Sequence, residues 1–238
     1  MLRPFRVRHL AVVAFLAAIV AVVSQANAQD KKPPASELNG LPVLFFEDFE
    51  SGKADRFEPS DPNAWKIGEK DGNKFLSQFQ ESVVKTPHRS PFNRNLVKDL
   101  IVSDFVLDVK LQSTKEDYPH RDMCLFFGYQ DPAHLYYVHF GKRADDHANQ
   151  IFIVNSADRK KISIESTEGT NWTDNWHHAR VVRNVATGSI DVYFDNMEKP
   201  VMKAVDKSFT WGQVGVGTFD DIGNIDNVLV YGRKAEKK

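Results

Sequence analysis

Residues 102–112 read VSDFVLDVKLQ, a stretch whose alternate positions differ in character. Successive side chains of an extended strand point to opposite faces, so every second residue shares a face. We expect the more hydrophobic face to be buried in a core, and it carries Ser103, Phe105, Leu107, Val109 and Leu111. The opposite face carries Val102, Asp104, Val106, Asp108 and Lys110. The stretch therefore predicts a strand with one buried face.

Two further stretches alternate in the same way, GSIDVYFDN (188–196) and HLYYVHF (134–140). In the first, Ile190, Val192 and Phe194 share one face, opposite Asp191, Tyr193 and Asp195. In the second, Tyr136, Val138 and Phe140 share one face, opposite Leu135, Tyr137 and His139. We expect the more apolar face of each strand to meet a second sheet. The other face should be exposed or line a groove.

The rest of the chain from Leu41 onward reads as short apolar stretches bounded by Gly, Asn, Asp or Pro. No convincing amphipathic helix longer than one or two turns interrupts them. Many short strands at this spacing predict an all-β domain, a two-sheet antiparallel sandwich or jelly roll, over residues 41–232. Residues 29–40 are polar and Pro-rich, which predicts a linker, and residues 233–238 form a charged tail.

The first 28 residues have the composition of a secretory signal peptide. Three arginines precede an apolar run at 10–23 that is short for a membrane span, and Ala26 and Ala28 supply small residues before a cleavage point. We therefore expect a secreted or periplasmic protein. Without the leader the chain carries 28 basic and 32 acidic residues, a net charge of −4, which argues against nucleic acid or an anionic membrane as partner.

The single cysteine, Cys124, lies in the apolar stretch MCLFFGY, so no intramolecular disulfide can form. A secreted protein without disulfides fits a bacterial envelope better than a eukaryotic secretory route. We interpret Cys124 as a small buried hydrophobic residue. No sequence signal places a histidine beside it as a nucleophile's partner would be placed.

Five stretches together resemble the concanavalin A-like lectin/glucanase jelly rolls: FFEDFESG (45–52) followed by Trp65, DPAHLYYVHF (131–140), NWHHARVVRN (175–184), GSIDVYFDN (188–196) and GQVGVGTFDDIGNIDNVLVYG (212–232). Within that superfamily the chain is most similar to laminin G-like and keto-disaccharide-hydrolase-like domains of secreted bacterial proteins. The resemblance implies the fold and leaves the activity open, because one jelly roll supports many functions.

Catalytic residues are not identified by the resemblance. Laminarinase-type relatives carry two carboxylates on one strand as Glu-x-Asp-x-x-Glu, and glycoside hydrolysis needs such a pair across the scissile bond. The nearest match is Glu69-Lys70-Asp71, but Lys74 stands where the last Glu belongs and the segment reads as a turn. A laminarinase-type mechanism is therefore disfavoured.

Sugar binding needs aromatic platforms and polar groups in one groove. Candidates that would share a face if their strands are neighbours in one sheet are Tyr137, Gln150, His178, Arg180 and Tyr193. A lyase would instead need a base and a cation, for which the candidates are Tyr137, His139, Arg121 and Lys142. Trp172 and Trp176 are edge candidates, although Trp176, like Trp65 and Trp211, is better interpreted as a packing residue.

One metal site is predicted, and its metal is calcium. Jelly-roll binding modules often join their first and last strands through a structural Ca²⁺, and the resemblance implies Asp48, Glu50 and Asp226 as its oxygen ligands. His139, Asp145 and His147 match no zinc spacing, and GKRADDHAN (141–149) is explained as a polar hairpin loop.

The sequence thus favours a carbohydrate-binding, lectin-like module. A keto-disaccharide-hydrolase-type hydrolase or a lyase is the first alternative, and a structural or adhesive envelope protein the second.

Overall fold

The structure is a computed structural model that describes residues 34–237. Within this range the chain forms seventeen strands and one 3-10 turn, Pro62–Ala64. The strands are β1 Glu37–Leu38, β2 Leu41–Glu47, β3 Phe57–Pro59, β4 Trp65–Lys70, β5 Asn73–Gln78, β6 Asn93–Val97, β7 Val102–Ser113, β8 Cys124–Asp131, β9 His134–His139, β10 Gln150–Asn155, β11 Lys160–Lys161, β12 Ser163–Ser166, β13 His177–Asn184, β14 Ser189–Phe194, β15 Met202–Val205, β16 Gln213–Thr218 and β17 Gly223–Lys234.

These strands form two antiparallel sheets, which confirms the predicted all-β sandwich. A ten-stranded sheet runs in the order β1-β2-β17-β7-β13-β14-β15-β12, with the β4–β5 hairpin joined to it through β5 and β17. A seven-stranded sheet runs in the order β11-β10-β9-β8-β16-β6-β3. Residues 34–237 contain no helix with the length and apolar character needed to cross a membrane.

The main core lies between the two sheets. From β7 it receives Phe105, Leu107, Val109 and Leu111, and from β14 it receives Ile190, Val192 and Phe194, as the alternation predicts. The same core contains Tyr136, Val138 and Phe140 from β9 and the loop that follows it. Fully burying each large apolar side chain contributes about 1.5–3 kcal/mol, so this inter-sheet layer drives the fold.

The glycines of β16 let two central strands approach closely. A Cβ atom at Gly217 would lie 1.9 Å from the backbone oxygen of Asn93 in β6, and one at Gly215 would lie 2.6 Å from that of Asn95. A side chain at either position would therefore force β6 away from β16. This explains why the penultimate strand is rich in glycine.

The outer face of the seven-stranded sheet is also buried, which differs from the prediction for β9. A second apolar cluster covers it: Leu96, Cys124, Phe126, Leu135, Tyr137, Phe152 and Val154. Cys124 is buried there, as predicted. Loops supply the cover, since the backbone of Arg159, after β10, donates to the backbone oxygen of Arg89 and the Arg89 amide donates to Asp158.

Strands extend a few residues beyond residues 41–232 at both ends. Glu37–Leu38 pairs with β2 inside the segment predicted as a linker, and Pro34 lies against residues of the ten-stranded sheet. At the other end β17 continues to Lys234, two residues into the predicted tail. The predicted signal peptide lies outside the described residues.

Candidate functional site

The predicted binding residues would share a groove only if their strands were neighbours in one sheet, and the structure places these strands in two sheets. Tyr137 and Gln150 belong to β9 and β10 of the seven-stranded sheet. His178, Arg180 and Tyr193 belong to β13 and β14 of the ten-stranded sheet. Alternation assigns a residue to one face of its own strand, but it does not show which sheet the strand joins.

Tyr137 cannot act as a sugar platform because it is fully buried. Its hydroxyl accepts a hydrogen bond of 3.0 Å from Nη1 of Arg159. The Arg159 guanidinium also lies over the rings of Phe152 and Phe219, at 4.9 and 4.3 Å from their centroids. This cation covers the outer face of the sheet at the position where the predicted groove would open.

The other predicted residues near Tyr137 have structural partners. Gln150 is buried and its Nε2 donates to the backbone oxygen of Asp145, 3.1 Å away, which fixes the loop between β9 and β10. Arg121 is buried and donates to Ser113 and to the Asp174 carboxylate. Lys142 pairs with Asp117. The base-and-cation set proposed for a lyase therefore does not line an open groove.

The loop quoted as GKRADDHAN does connect two strands, β9 and β10, as predicted. Asp145 accepts a hydrogen bond from the His147 amide, and Asp146 pairs with Lys161 at 2.5 Å. His139 lies apart from these loop charges and is buried. Its Nδ1 accepts from the Asn149 amide at 3.3 Å, and its Nε2 lies 3.0 Å from Oδ2 of Asp122.

Open space large enough for a ligand lies instead on the outer face of the ten-stranded sheet. A groove of about 590 Å³ runs between the β4–β5 hairpin, the outward positions of β7, the turn before β13 and the bulge of β17. Its walls are formed by Lys70, Asp71, Asn73, Phe75, Lys110, Gln112, Asp174, Asn175, Trp176, Asp226 and Asn227. We call this set the hairpin groove.

Two aromatic rings form one wall of the hairpin groove. The rings of Phe75 and Trp176 meet edge to face, with centroids 5.6 Å apart. The prediction that Trp176 packs in the core is wrong, because Trp176 is half-buried and the core position belongs to Trp172. Trp172 Nε1 donates to the backbone oxygen of Phe140 at 2.7 Å, which anchors the loop beneath Trp176.

Fixed polar groups form the rest of the hairpin groove. Asn73 Nδ2 donates to Oδ2 of Asp226 at 3.2 Å, which joins the β4–β5 hairpin to β17. Gln112 Nε2 donates to the backbone oxygen of Asp174, 2.7 Å away. Asn227 lies at the bulge of β17 with φ 49°, in the left-handed region. Its backbone amide donates to Oδ1 of Asp226. The amides and carboxylates are thus held in place without a ligand.

A smaller pocket of about 220 Å³ continues from the hairpin groove and shares Lys110 and Asn227 with it. Its far wall contains His178 and Asp108. Arg180 donates to both oxygens of Asp108, and His178 Nε2 lies 3.0 Å from Oδ1. Burial would raise the pKa of Asp108, but these hydrogen bonds outweigh it and lower that pKa.

Only some predicted residues of this sheet therefore reach open space. His178 lines the smaller pocket, whereas the Arg180 guanidinium is held by Asp108. Tyr193 is the register partner of Arg180 on β14 and does not line either cavity.

Of the residues predicted to bind calcium, Asp48 and Glu50 lie in the loop after β2, and Asp226 lies within β17 at its bulge. Asp48 accepts from the Glu50 amide, and Glu50 accepts from the Lys74 amide at 3.4 Å. Asp226 lines the hairpin groove. Calcium binding by these three residues remains a prediction. In residues 34–237 the one group of three His, Cys, Asp or Glu side chains with ligating atoms within 4.8 Å of one another is Asp122, Cys124 and His139.

A further carboxylate, that of Asp221, lies beside this group and close to Asp122. Asp221 is buried, accepts from the Tyr118 hydroxyl at 2.7 Å and accepts from the Asp122 amide at 2.9 Å. Burial and the nearby charge of Asp122 raise the pKa of Asp221 to about 6.

Sequence reasoning missed Phe75, Asn73, Gln112 and Asn227 as residues of a groove. The usable signal was in the opening stretch, where Asp108 and Lys110 alternate with core residues and so had to face outward. The bulge that turns Asn227 and the hairpin that carries Phe75 left no periodic signal.

No protein-family model matches the chain, and no curated protein matches it. Several solved structures are similar to it. A carbohydrate-binding module, CBM66 from Bacillus subtilis, is 15% identical, with a TM-score of 0.53 over 74% of this chain and 96% of that module. The GH43 protein BlXynB from Bacillus licheniformis is 13% identical, with a TM-score of 0.51 over 79% of this chain and 39% of that protein. At these identities the likeness shows the fold alone. The chain thus has an all-β fold of two antiparallel sheets, the jelly-roll sandwich that it shares with the CBM66 module.

Proposed function

We propose that this protein is a carbohydrate-binding, lectin-like module whose ligand lies in the hairpin groove. One observation carries the proposal: the half-buried Trp176, packed edge to face on the buried Phe75, lines about 590 Å³ of open space together with amide and carboxylate side chains. Sugar rings present apolar C–H faces and a rim of hydroxyls, so they need both kinds of surface. The fold shared with the CBM66 module supports this assignment.

The polar groups favour hydroxyl recognition over binding of a strongly charged ligand. The groove contains two basic residues, Lys70 and Lys110, and three acidic residues, Asp71, Asp174 and Asp226, so its charges nearly balance. Amide side chains supply both donors and acceptors, which suits a hydroxyl that does both. We therefore infer a neutral or weakly charged glycan as the ligand.

The proposal includes export of the protein from the cytoplasm. A signal peptide ending at Ala28 would deliver the domain to the periplasm or the exterior, where glycans of this kind are met. Mass measurement of the exported protein should give a mature chain that begins at Gln29. Full-length protein retained inside the cell would contradict this part of the proposal.

A matched pair of tryptophan variants tests the groove. Trp176→Ala should weaken binding to a retained polysaccharide about tenfold or more, which corresponds to a loss of about 1.4 kcal/mol. Trp211→Ala is the control, because Trp211 is also half-buried but lines cavities away from the hairpin groove. Affinity electrophoresis over a polysaccharide panel, followed by calorimetry on the best binder, measures both. Equal binding by the two variants would show that the ligand does not bind in the hairpin groove.

Hydrolysis is the second candidate, because three carboxylates, Asp71, Asp174 and Asp226, line the same groove. The likeness in fold to a GH43 protein and the resemblance to keto-disaccharide hydrolases point in the same direction. Incubation with polysaccharides and oxidised disaccharides, read by mass spectrometry, separates the two functions. New products that disappear in Asp71→Asn or Asp174→Asn would make the groove catalytic. Retention without products would leave a binding module.

The structural or adhesive alternative has less support from the surface. The outward positions of the central strand β7 include Asp104, Asp108 and Lys110. A protein-docking face would instead present a continuous apolar patch there.

A further inference from the structure

Three side chains of different chemistry converge on the outer side of the seven-stranded sheet. The ligating atoms of Asp122, Cys124 and His139 all lie within 4.8 Å of one another, and all three residues are buried. Met123 points into the inter-sheet core, so Asp122 and Cys124 flank it on the opposite side of the strand. Cys124 and His139 are register partners of β8 and β9. The sheet itself therefore holds the three groups together.

One atom of this group has no hydrogen bond. Oδ2 of Asp122 is buried and accepts none, although Nε2 of His139 is only 3.0 Å away. The ring N–H of His139 is thus not aimed at that oxygen, while the other oxygen, Oδ1, accepts from the Phe219 amide at 2.9 Å. A buried carboxylate oxygen without a donor is costly, so it calls for a partner that is not part of this chain.

We propose that Asp122, Cys124 and His139 form a structural zinc site that joins β8 to β9. Thiolate, imidazole and carboxylate are a ligand combination that Zn²⁺ accepts, whereas Ca²⁺ and Mg²⁺ prefer oxygen alone. Nitrogen and oxygen ligands at about 2.0–2.2 Å from a tetrahedral ion lie roughly 3.3 Å apart. The 3.0 Å between His139 Nε2 and Asp122 Oδ2 is close to that separation.

Binding requires two proton changes within the protein, because Cys124 must lose its thiol proton to become a thiolate ligand and His139 must move its ring proton. Nδ1 of His139 accepts from the Asn149 amide at 3.3 Å, so the ring proton is on Nε2. A ligating Nε2 must give up that proton, and Nδ1 then carries it toward the Asn149 amide. The Asn149 hydrogen bond is lost when the ion binds, which makes that amide a reporter of loading. This inference is independent of the hairpin groove.

Metal retention tests the site directly. The purified protein is loaded with Zn²⁺ under reducing conditions, dialysed against metal-free buffer and assayed for zinc. We expect one zinc per chain, a higher melting temperature than the stripped protein, and a shifted Asn149 amide resonance. Co²⁺ in place of Zn²⁺ should give the thiolate-to-metal charge-transfer absorption that only a cysteine ligand produces.

Variants then assign the ligands. Cys124→Ser should weaken zinc binding by about tenfold or more and abolish the cobalt charge-transfer band. His134→Gln is the matched control, because His134 also lies on β9 beside a carboxylate, Asp131, but is part-exposed. Failure of the native protein to retain zinc, or cobalt binding without the thiolate band, would overturn the proposal whether or not a variant folds.

Discussion

Asp108 of β7 accepts two parallel hydrogen bonds from Arg180 of β13, each 2.7 Å long. The two residues are register partners in adjacent strands, and both are largely buried on the outer face of the ten-stranded sheet. Forked pairing of this kind is the strongest geometry available to a carboxylate and a guanidinium.

Removing the carboxylate should therefore be costly. We expect Asp108→Ala to lower the free energy of unfolding by about 2–3 kcal/mol, because Arg180 is left without its charged acceptor. Asp191→Ala on the neighbouring strand β14 is the control and should change stability by less than about 0.5 kcal/mol. Urea titration of the three proteins measures the difference. Equal losses in both variants would show that the pair contributes nothing specific.

The same pair predicts how acid affects stability. The folded pKa of Asp108 is lowered, so its contribution is fully present above the unfolded value of about 3.9. That contribution should be lost as the pH falls through the lower, folded pKa. Between neutral pH and the acid limit, Asp108→Asn should show a smaller loss of stability than the native protein. Parallel pH curves for the two proteins would contradict the assignment.

Substitution of Tyr137 should affect folding rather than ligand binding. Tyr137 is fully buried, stacks on Phe152 at 5.0 Å and accepts from Arg159. Tyr137→Ala should cost about 3–5 kcal/mol, because it leaves a cavity and removes the hydrogen bond to the half-buried Arg159. Thermal unfolding with and without bound glycan separates the two effects. A stable Tyr137→Ala protein that has lost glycan binding would instead restore Tyr137 as a site residue.

Chelation tests the predicted calcium site. If Ca²⁺ joins Asp48, Glu50 and Asp226, a chelator should lower the melting temperature of the native protein and leave Asp226→Ala unaffected. Asp226 also holds Asn73, so the variant's own melting temperature must serve as its reference. Identical melting curves with chelator and with added Ca²⁺ would dispose of the prediction.

Periodicity was sufficient for the strands whose two faces have different environments. In β7 and β14 the large apolar residues predicted for the core are found there. The exceptions lie in β7, where Ser103 is outside the core and Val102, predicted on the opposite face, is part of it. In β9 the predicted inner face is also correct. Its outer face is nevertheless buried, because Arg159 and Phe219 arrive from loops remote in sequence. The local sequence of β9 does not indicate that loops bury its outer face.

The candidate site was predicted less well for a related reason. His178 lines the smaller pocket, but the aromatic lining of the hairpin groove depends on which of Trp172 and Trp176 faces inward. Both lie in a loop, where no repeat fixes the direction of a side chain. The interior position belongs to Trp172, through its hydrogen bond to Phe140.

The position of β17 has a consequence for how the chain folds. This strand, formed by the end of the described chain, lies between β2 and β7 and also pairs with β5. Its partner residues in β2 are remote in sequence, as in the pairing of Val228 with Glu47. Contacts of such separation slow folding, because the loop between them must close before any gain is realised. A chain emerging from the ribosome thus cannot join β2 and β5 to β7 until residues 223–234 have been synthesised.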